Sequence, residues 1–440
     1  MIYLIYRYLW LEGYGSIFEG QKVTDMKMDT KNQSIGALPA DLKVRNRMLV
    51  LHAMRNGAAC TAADIAGKTG ISRITVMKSI SWFMEKGYIQ TEGKGQSTEN
   101  GGKKPELYRF SCSRILLAVT MWPGILAIHL CGLNLEIIAS CREEVSRDIL
   151  PAEVFALLRE KVYDLLKEWG YALEDLYGVS VSMAGTVDYK AGNLKYSSMT
   201  PDWGKDIPVQ KYLQEIFGTD VLIIIENAGK MTGRALLLGE DALNKRILVL
   251  FSTWGLSACL IDKGHVLNGK DSLIGEIGHM IIDPHDRELC GCGSFGCAER
   301  MLSVKRLRQK VKEEKAEFPE SPLSKLAEEE ISQEVIFRLS GKGDVFAGRL
   351  VEYLAETFAV VLRNISLLFD PDVVVFQGDY SCGDQYFIDR LREHLDRFNY
   401  YPEGGAFELE FDDRPLEELD LIGSLNFLQH KFFGDEKLYQ

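Results

Sequence analysis

Apolar and polar positions recur with helical spacing between residues 45 and 86, and they predict three short helices. Thr61 is placed to cap the start of the second helix, and Gly70 is placed to end it. Ser72 is placed to cap the third helix, whose apolar stripe runs from Val76 to Phe83. The predicted helices are Arg45–Asn56, Ala62–Thr69 and Arg73–Lys86.

Two short apolar runs after these helices predict a β-hairpin, with Tyr88–Thr91 and Leu107–Phe110 as its strands. The segment between them, Glu92–Lys104, is polar and rich in glycine. Two helices around a glycine turn, followed by a hairpin, are typical of a winged helix-turn-helix that binds DNA. A generic helical hairpin with a solvated loop is the alternative. The expected DNA contacts are Ser72, Arg73, Thr75, Lys78, Lys103 and Lys104.

Apolar runs and amphipathic segments alternate from residue 115 onward, and this order predicts an α/β domain. The runs Ile115–Thr120, Ile125–Cys131 and Leu135–Ser140 open it as a β-meander. A helix over Asn227–Gly239 and a long helix over Gly348–Phe369 follow later. Two similar series of strands and helices predict a duplicated body with a cleft between its lobes. The expected divisions are 41–112 for the DNA-binding domain, 113–440 for the body, about 113–240 for lobe one and about 245–425 for lobe two.

Charge is divided unevenly along the 440 residues, which carry a net charge of -12. Residues 41–114 have a net charge of +7, and residues 115–440 have a net charge of -19. A basic segment before an acidic body favours a nucleic-acid module joined to another domain. No stretch reaches the roughly 20 apolar residues of a membrane span, so a cytoplasmic protein is expected.

Residues 1–40 form an N-terminal extension that opens on the apolar and aromatic segment Met1–Trp10. This segment lacks the charged start and the small-residue cleavage site of a signal peptide. It is interpreted either as a helix that packs on a partner or as translated upstream sequence. In the second case, which is favoured, Met26 or Met28 is the expected start.

Three of the nine cysteines crowd into one short loop, as Cys290, Cys292 and Cys297. Together with His279 they supply three thiolates and one imidazole, which is a closed tetrahedral set for structural zinc. Interleaved glycines let the backbone wrap tightly around an ion. His285 is nearer in sequence but is ranked below His279. The alternative is a tight loop of three reduced thiols.

Glu276 and His279 are three residues apart, so a helical turn places them on one side. If one ring nitrogen of His279 binds zinc, the other nitrogen and the Glu276 carboxylate point together into the cleft. They would then meet a polyol as a donor and an acceptor. Glu299, two residues after Cys297, is a third candidate contact. The alternative for Glu276 is an ordinary surface carboxylate or one that only orients another ligand.

From about Lys43 to its C-terminus the chain resembles the ROK family of bacterial sugar-responsive repressors, open reading frames and sugar kinases. The resemblance implies a two-lobed, actin-like sugar kinase fold whose second lobe carries zinc. It also implies that Asn227, Glu276, His279 and Glu299 hold a sugar, and that His279 joins the cysteines on zinc. The motifs that carry it are Gly102–Pro105, Ala184–Asp188, Glu226–Asn227, Gly275–His279, the cysteine cluster and Glu299.

Three departures from the family's kinases indicate that this chain is not an enzyme. Kinases of the family have an aspartate as catalytic base where this chain has Ala228, which cannot accept a proton. Their first phosphate turn corresponds here to Thr120–Gly124, in which Trp122 and Pro123 replace bare backbone. Their second glycine-rich loop retains only Gly255.

The sequence therefore predicts a sugar-responsive repressor of carbohydrate metabolism genes that binds operator DNA as a homodimer or homotetramer. Its effector is a sugar or a phosphosugar. Lys230, one helical turn after Asn227, either meets an anionic group or faces solvent, and the second is favoured. The alternative functions are an active ATP-dependent sugar kinase with a DNA-binding appendage and a constitutive DNA-binding protein whose body only oligomerises.

Overall fold

A computed structural model of the chain describes residues 39–55, 57–95, 104–239, 241–397 and 407–440. The predictions for residues 1–38 and for Lys103 lie outside this part of the chain. No described helix is long and apolar enough to cross a membrane.

The N-terminal unit consists of three helices and a three-stranded antiparallel sheet of order β1-β3-β2. The predicted start of its second helix is confirmed, because Thr61 and Asp64 form a reciprocal capping box there. Gly70 ends this helix with a φ of +69°, which side chains rarely allow. The elements are α1 Pro39–His52, β1 Cys60–Thr61, α2 Ala62–Thr69, α3 Arg73–Glu85, β2 Ile89–Lys94 and β3 Glu106–Phe110.

The first lobe is built around a five-stranded sheet of order β10-β7-β4-β5-β6. Strands β10, β7 and β4 are parallel, and β5 and β6 continue the sheet antiparallel. The strands are β4 Ile115–Trp122, β5 Ile125–Gly132, β6 Ile137–Glu144, β7 Leu176–Met183 and β10 Leu222–Asn227. The helices α4 Pro151–Trp169 and α5 Val209–Phe217 and the hairpin of β8 Thr186–Asp188 and β9 Asn193–Tyr196 complete it.

The second lobe repeats this plan with a sheet of order β13-β12-β11-β14-β15, again with three parallel and two antiparallel strands. Its strands are β11 Arg246–Ser252, β12 Leu256–Asp262, β13 His265–Val266, β14 Val373–Gly378 and β15 Glu408–Asp412. Its helices are α7 Ala298–Met301, α8 Val304–Glu314, α9 Gln333–Ser340, α10 Val345–Phe369 and α11 Gln385–Arg397. The predicted duplication of the α/β body is therefore confirmed.

A short helix, α6 Ala228–Gly233, begins at the end of β10 and packs against the sheet of the second lobe. Its two glycines allow this close approach. A Cβ on Gly229 would lie 2.3 Å from Ser257 Oγ, and one on Gly233 would lie 2.4 Å from Cys259 Cβ. The predicted helix over Asn227–Gly239 is only partly right, because the chain tightens into a 3-10 helix after Gly233.

The last helix, α12 Leu416–Phe433, joins the first lobe to the N-terminal unit. Apolar side chains of this helix, of the N-terminal unit and of the first sheet form one continuous buried cluster. His52 Nε2 donates to the Phe433 carbonyl at 3.0 Å, and Arg47 donates to the Tyr439 carbonyl at 2.8 Å. Gln429 donates to the Arg55 carbonyl at 3.2 Å. The N-terminal unit therefore shares its core with residues at the other end of the chain.

Candidate functional site

The structure brings His279 and the three clustered cysteines together. One ligand atom from each of them lies within 4.8 Å of the others, an arrangement that can hold a metal ion. Cys292 Sγ lies 3.7 Å from Cys297 Sγ, and Cys290 Sγ lies 3.7 Å from His279 Nδ1. Among the described residues, His285 is not part of this group.

Local structure brings the four side chains together. His279 ends a single turn of 3-10 helix, Ile277–His279, and Cys297 precedes helix α7. Gly296 has a φ of +72°, and a Cβ there would lie 1.9 Å from the Asp283 carbonyl oxygen. Only glycine fits this position, so the loop closes tightly enough to return Cys297 beside His279.

Ion pairs fasten the loop to the second lobe. Arg306 of α8 bonds to Asp286, and Arg300 bonds to Glu288. Glu288 also pairs with Arg306 at 3.2 Å and with Lys305 at 3.3 Å. The arginine side chains are about four-fifths buried, so solvent screens these pairs less than it screens pairs on the surface.

Glu276 and Glu299 are both held by hydrogen bonds beside this loop. Glu276 Oε1 accepts a hydrogen bond of 3.1 Å from the Thr186 hydroxyl, which belongs to the first lobe. Glu299 Oε2 accepts one of 3.1 Å from the backbone N–H of Leu256. Burial raises the pKa of the Glu276 carboxyl, while the bond from Thr186 and the charge of His279 act in the opposite direction. Glu276 therefore links the two lobes across the cleft.

Asn227 is fixed from both ends of its amide at the junction of β10 and α6. Its Nδ2 donates to the Gly185 carbonyl at 2.7 Å, and its Oδ1 accepts from the backbone N–H of Lys230 at 3.2 Å. Because Gly185 directly precedes Thr186, the same turn of the first lobe contacts both Asn227 and Glu276. These residues form what we call the polar cleft: Asn227, Glu276, His279 and Glu299.

Lys230 corrects a prediction, since the expected solvent-facing side chain is 5% exposed. Its Nζ donates to Asn268 Oδ1 at 3.2 Å, and its charge offsets part of the rise in the Glu276 pKa that burial causes. A helical wheel cannot reveal this burial, because the covering segment is 38 residues further along the chain.

An aromatic cluster lies on the other side of Asn227. It consists of Trp122 from the first lobe and Phe251 and Trp254 from the second, packed around Ala228. Trp122 lies 6.2 Å from Phe251 and 6.1 Å from Trp254 between ring centroids, both nearly edge-to-face. Sequence reasoning singled out Trp122 and Ala228, but it missed the two partner rings, which have no local signature.

The face of α3 that carries the predicted DNA contacts is exposed. Arg73 and Lys78 lie on it, and Lys104 is exposed beside β3. Ser72 and Thr75 instead bond to each other, with 3.0 Å between their hydroxyl oxygens, and Ser72 Oγ also accepts from the Thr75 N–H. The Ser72 side chain therefore caps the helix, and the Thr75 hydroxyl bonds to that cap.

Comparison with known proteins gives both repressors and kinases as relatives. The xylose repressor of Caldicellulosiruptor bescii is 23% identical over 84% of this chain and 92% of that protein. The dual regulator NagC of Escherichia coli is 22% identical over 74% of this chain and 79% of its own. The glucokinase of Thermotoga maritima is 24% identical over 58% of this chain and 80% of its own.

Solved structures show the same fold. A ROK family transcriptional regulator, described as a homolog of the E. coli MLC protein, superposes with a TM-score of 0.71 at 17% identity, over 90% of this chain and 98% of that one. A ROK family glucokinase from Streptomyces griseus superposes with a TM-score of 0.58 at 19% identity, over 71% and 98%. The ROK family model itself matches residues 126–408. The chain therefore belongs to the ROK family.

Proposed function

We propose that this protein is a sugar-responsive, DNA-binding transcriptional repressor that uses a sugar kinase scaffold without phosphorylating its ligand. The observation that carries the proposal is the contrast around Asn227. The polar cleft keeps its sugar-binding side chains, whereas aromatic rings pack around Ala228, where the family's kinases place their catalytic base. The similarity to a xylose repressor over 84% of the chain supports it.

In this proposal the N-terminal unit is a winged helix-turn-helix, with α3 in the major groove and the β2–β3 hairpin as the wing. Arg73 and Lys78 on α3 contact the DNA, and Lys104 binds the phosphate backbone. The net charge of +7 over residues 41–114 draws the unit to DNA.

Zinc is the metal that best fits the His279 cluster. Three sulfurs and one imidazole suit zinc, and a Zn–S bond of about 2.3 Å predicts a tetrahedral S–S edge of about 3.8 Å. The 3.7 Å between Cys292 Sγ and Cys297 Sγ fits that edge. His279 Nδ1 faces the thiols, so its Nε2 remains for a ligand in the cleft. Zinc bound by these four residues would hold the loop together and orient His279.

The sugar is held by hydrogen bonds from both lobes. The Glu276 and Glu299 carboxylates accept from sugar hydroxyls, His279 Nε2 donates, and Asn227 uses its remaining amide hydrogen. Thr186 already bonds Glu276 across the cleft, so a ligand seated there draws the lobes together.

Helix α12 supplies a direct route from this cleft to the N-terminal unit. A Cβ on Gly423 would lie 1.8 Å from the Met231 carbonyl oxygen, so α12 presses closely on the helix that Asn227 caps. Asn426 of α12 also donates to the Arg234 carbonyl at 3.3 Å. Further along, Gln429 bonds the Arg55 carbonyl. Ligand-induced movement of α6 therefore reaches the DNA-binding unit, with a coupling of typically ~1–3 kcal/mol.

A homodimer or homotetramer in the cytoplasm, bound to a two-fold operator, completes the proposal. The alternative is an active kinase, which the similarity to glucokinases over 58% of the chain favours. Ala228 is 2% exposed and cannot act as a base, so the repressor is preferred.

A thermal-shift screen tests the proposal with xylose, glucose, N-acetylglucosamine, their phosphates and ATP with magnesium. We expect one sugar or phosphosugar to raise the melting temperature and ATP with magnesium to leave it unchanged. The Glu276→Gln variant should lose the response, while Glu320→Gln, altered at an exposed carboxylate, should keep it. Stabilisation by ATP with sugar-dependent ATP turnover would instead establish a kinase.

A further inference from the structure

Ile74 is an apolar residue in the first turn of α3 that the core does not use. Its side chain is 72% exposed, whereas Val76, Ile80 and Phe83 of the same helix are completely buried. The helix is therefore amphipathic, and Ile74 lies among its polar positions. Because Ile74 lies between Arg73 and Lys78 on an exposed helix face, its side chain is available for a contact outside the chain.

The surroundings of Ile74 form a shallow, open depression along α3. Its floor is mainly apolar, and Arg73 and Lys78 are its two charged members; neither forms an ion pair with another described residue. Tyr108 of β3 bonds the Met77 sulfur from the other side, at 3.8 Å, and so holds the hairpin against the helix. The residues that line the depression are Arg73, Ile74, Met77, Lys78 and Ser81.

The charge of this surface favours duplex DNA over a second copy of this chain as its occupant. Arg73 and Lys78 lie beside the apolar side chains of Ile74 and Met77, in a segment of net charge +7. A polyanion that carries apolar groups at intervals would complement both features. In the major groove the apolar group presented by base edges is the C5 methyl of thymine. A second copy of this chain would bring the same cations face to face.

We infer that Ile74 reads the C5 methyl of a thymine in the major groove, flanked by Arg73 and Lys78. This inference rests on the proposed DNA binding and deepens it, because it assigns sequence preference to one residue. Ile74 contributes to specificity, while the two cations contribute affinity for many sequences.

The test begins with selection of duplexes from a random library by the full-length protein. Each thymine of the enriched duplex is then replaced singly by uracil, which removes only the methyl group. At one thymine in each half-site, we expect the wild-type protein to bind about fourfold more weakly, the effect of one buried methyl group. The Ile74→Ala variant should bind the thymine and uracil duplexes equally at that position.

Two control variants separate the contributions. Leu368→Ala removes an 88%-exposed apolar side chain from the second lobe and should retain the full uracil effect. Lys78→Ala should weaken binding to all duplexes, but it should also retain the full difference between the thymine and uracil duplexes. Equal melting temperatures of the Ile74→Ala variant and the wild-type protein would show that the variant folds normally.

The outcomes distinguish the inference from the proposed function. One outcome is a selected duplex that wild-type protein binds no more tightly than any of its uracil versions. That result overturns the role of Ile74 but leaves the proposed DNA binding in place. An altered oligomeric mass of Ile74→Ala with an unchanged uracil effect also overturns it, since the side chain would then serve self-association. Enrichment of no duplex at all overturns DNA binding and the inference together.

Discussion

Two clusters of opposite character meet at the start of helix α6, where adjacent residues face different surroundings. Asn227 belongs to the polar cleft, in which hydrogen bonds fix each amide and carboxylate. Ala228 belongs to the aromatic cluster, in which Trp122 packs edge-to-face on rings of the other lobe. Both clusters cross between the lobes, one through polar contacts and one through apolar contacts.

The comparison teaches that one helix start can serve two environments, because hydrogen bonds hold Asn227 and apolar packing surrounds its neighbour Ala228. The polar cleft depends on loops and on the cysteine cluster of the second lobe. The aromatic cluster lies at the ends of strands β4 and β11, and its rings fill the space around Ala228. Four substitutions can break or sharpen this contrast.

The largest effect is expected for Cys297→Ser, which removes a fully buried thiol from the candidate metal cluster beside the polar cleft. Loss of a structural zinc ligand should lower the melting temperature by about 10 °C or more and release the metal. Metal content by mass spectrometry and thermal unfolding measure both effects. Cys382→Ser, at an exposed cysteine outside the cluster, is the matched control and should change neither. Full stability of the metal-free Cys297→Ser protein would contradict a structural metal.

Ala228→Asp introduces, inside the aromatic cluster, the residue that the resemblance to the family's kinases leads us to expect there. Burying a carboxylate among rings should reduce the free energy of unfolding by about 3 kcal/mol at pH 8 and should restore no phosphorylation. Burial raises the pKa of the new group, so its destabilising effect should shrink as pH falls. Ala327→Asp adds the same charge at an exposed position and serves as the control. Sugar-dependent ATP turnover by Ala228→Asp would show that the phosphate turns still work.

Asp420→Asn tests a titratable group behind the aromatic cluster. Burial raises the pKa of Asp420 to about 7, and Thr120 donates to its Oδ2 at 2.5 Å. A folded-state pKa above the unfolded value means that the free energy of unfolding falls as pH rises from about 4 to 7. Asp420→Asn should remove that slope, a difference on the order of 4 kcal/mol in the free energy of unfolding at pH 8. Denaturant unfolding at several pH values measures it, with exposed Asp202→Asn as the control.

The smallest effect is expected for Trp122→Phe, which keeps the aromatic packing and removes the indole N–H. That N–H donates to the buried Ser182 hydroxyl at 3.1 Å. Its loss should cost about 1 kcal/mol and leave ligand binding unchanged. Trp169→Phe, at a 40%-exposed ring, should cost less. A large loss of ligand affinity in Trp122→Phe would show that the two clusters are not independent.

Local signals predicted much of the fold. Helix α2 has the predicted bounds because Thr61 caps it and Gly70 ends it within the same short segment. The membership of the metal cluster followed from spacing and donor chemistry, and the structure brings the four residues together. The burial of Lys230 and the rings around Ala228 were not predicted, because their partners are distant in sequence. The 3-10 helix after Gly233 was missed for the same reason, since α12 packs against it.

The shared core between the N-terminal unit and α12 has a consequence for how the protein is made. A ribosome emits roughly 5–20 residues per second, so synthesis of the chain between Phe110 and Leu425 takes about 15 to 60 s. During that time the N-terminal unit lacks the side chains that complete its buried cluster, among them Phe432 and Tyr439. The unit that is synthesised first therefore completes its core last, and in an interrupted chain helix α3 packs on an incomplete core.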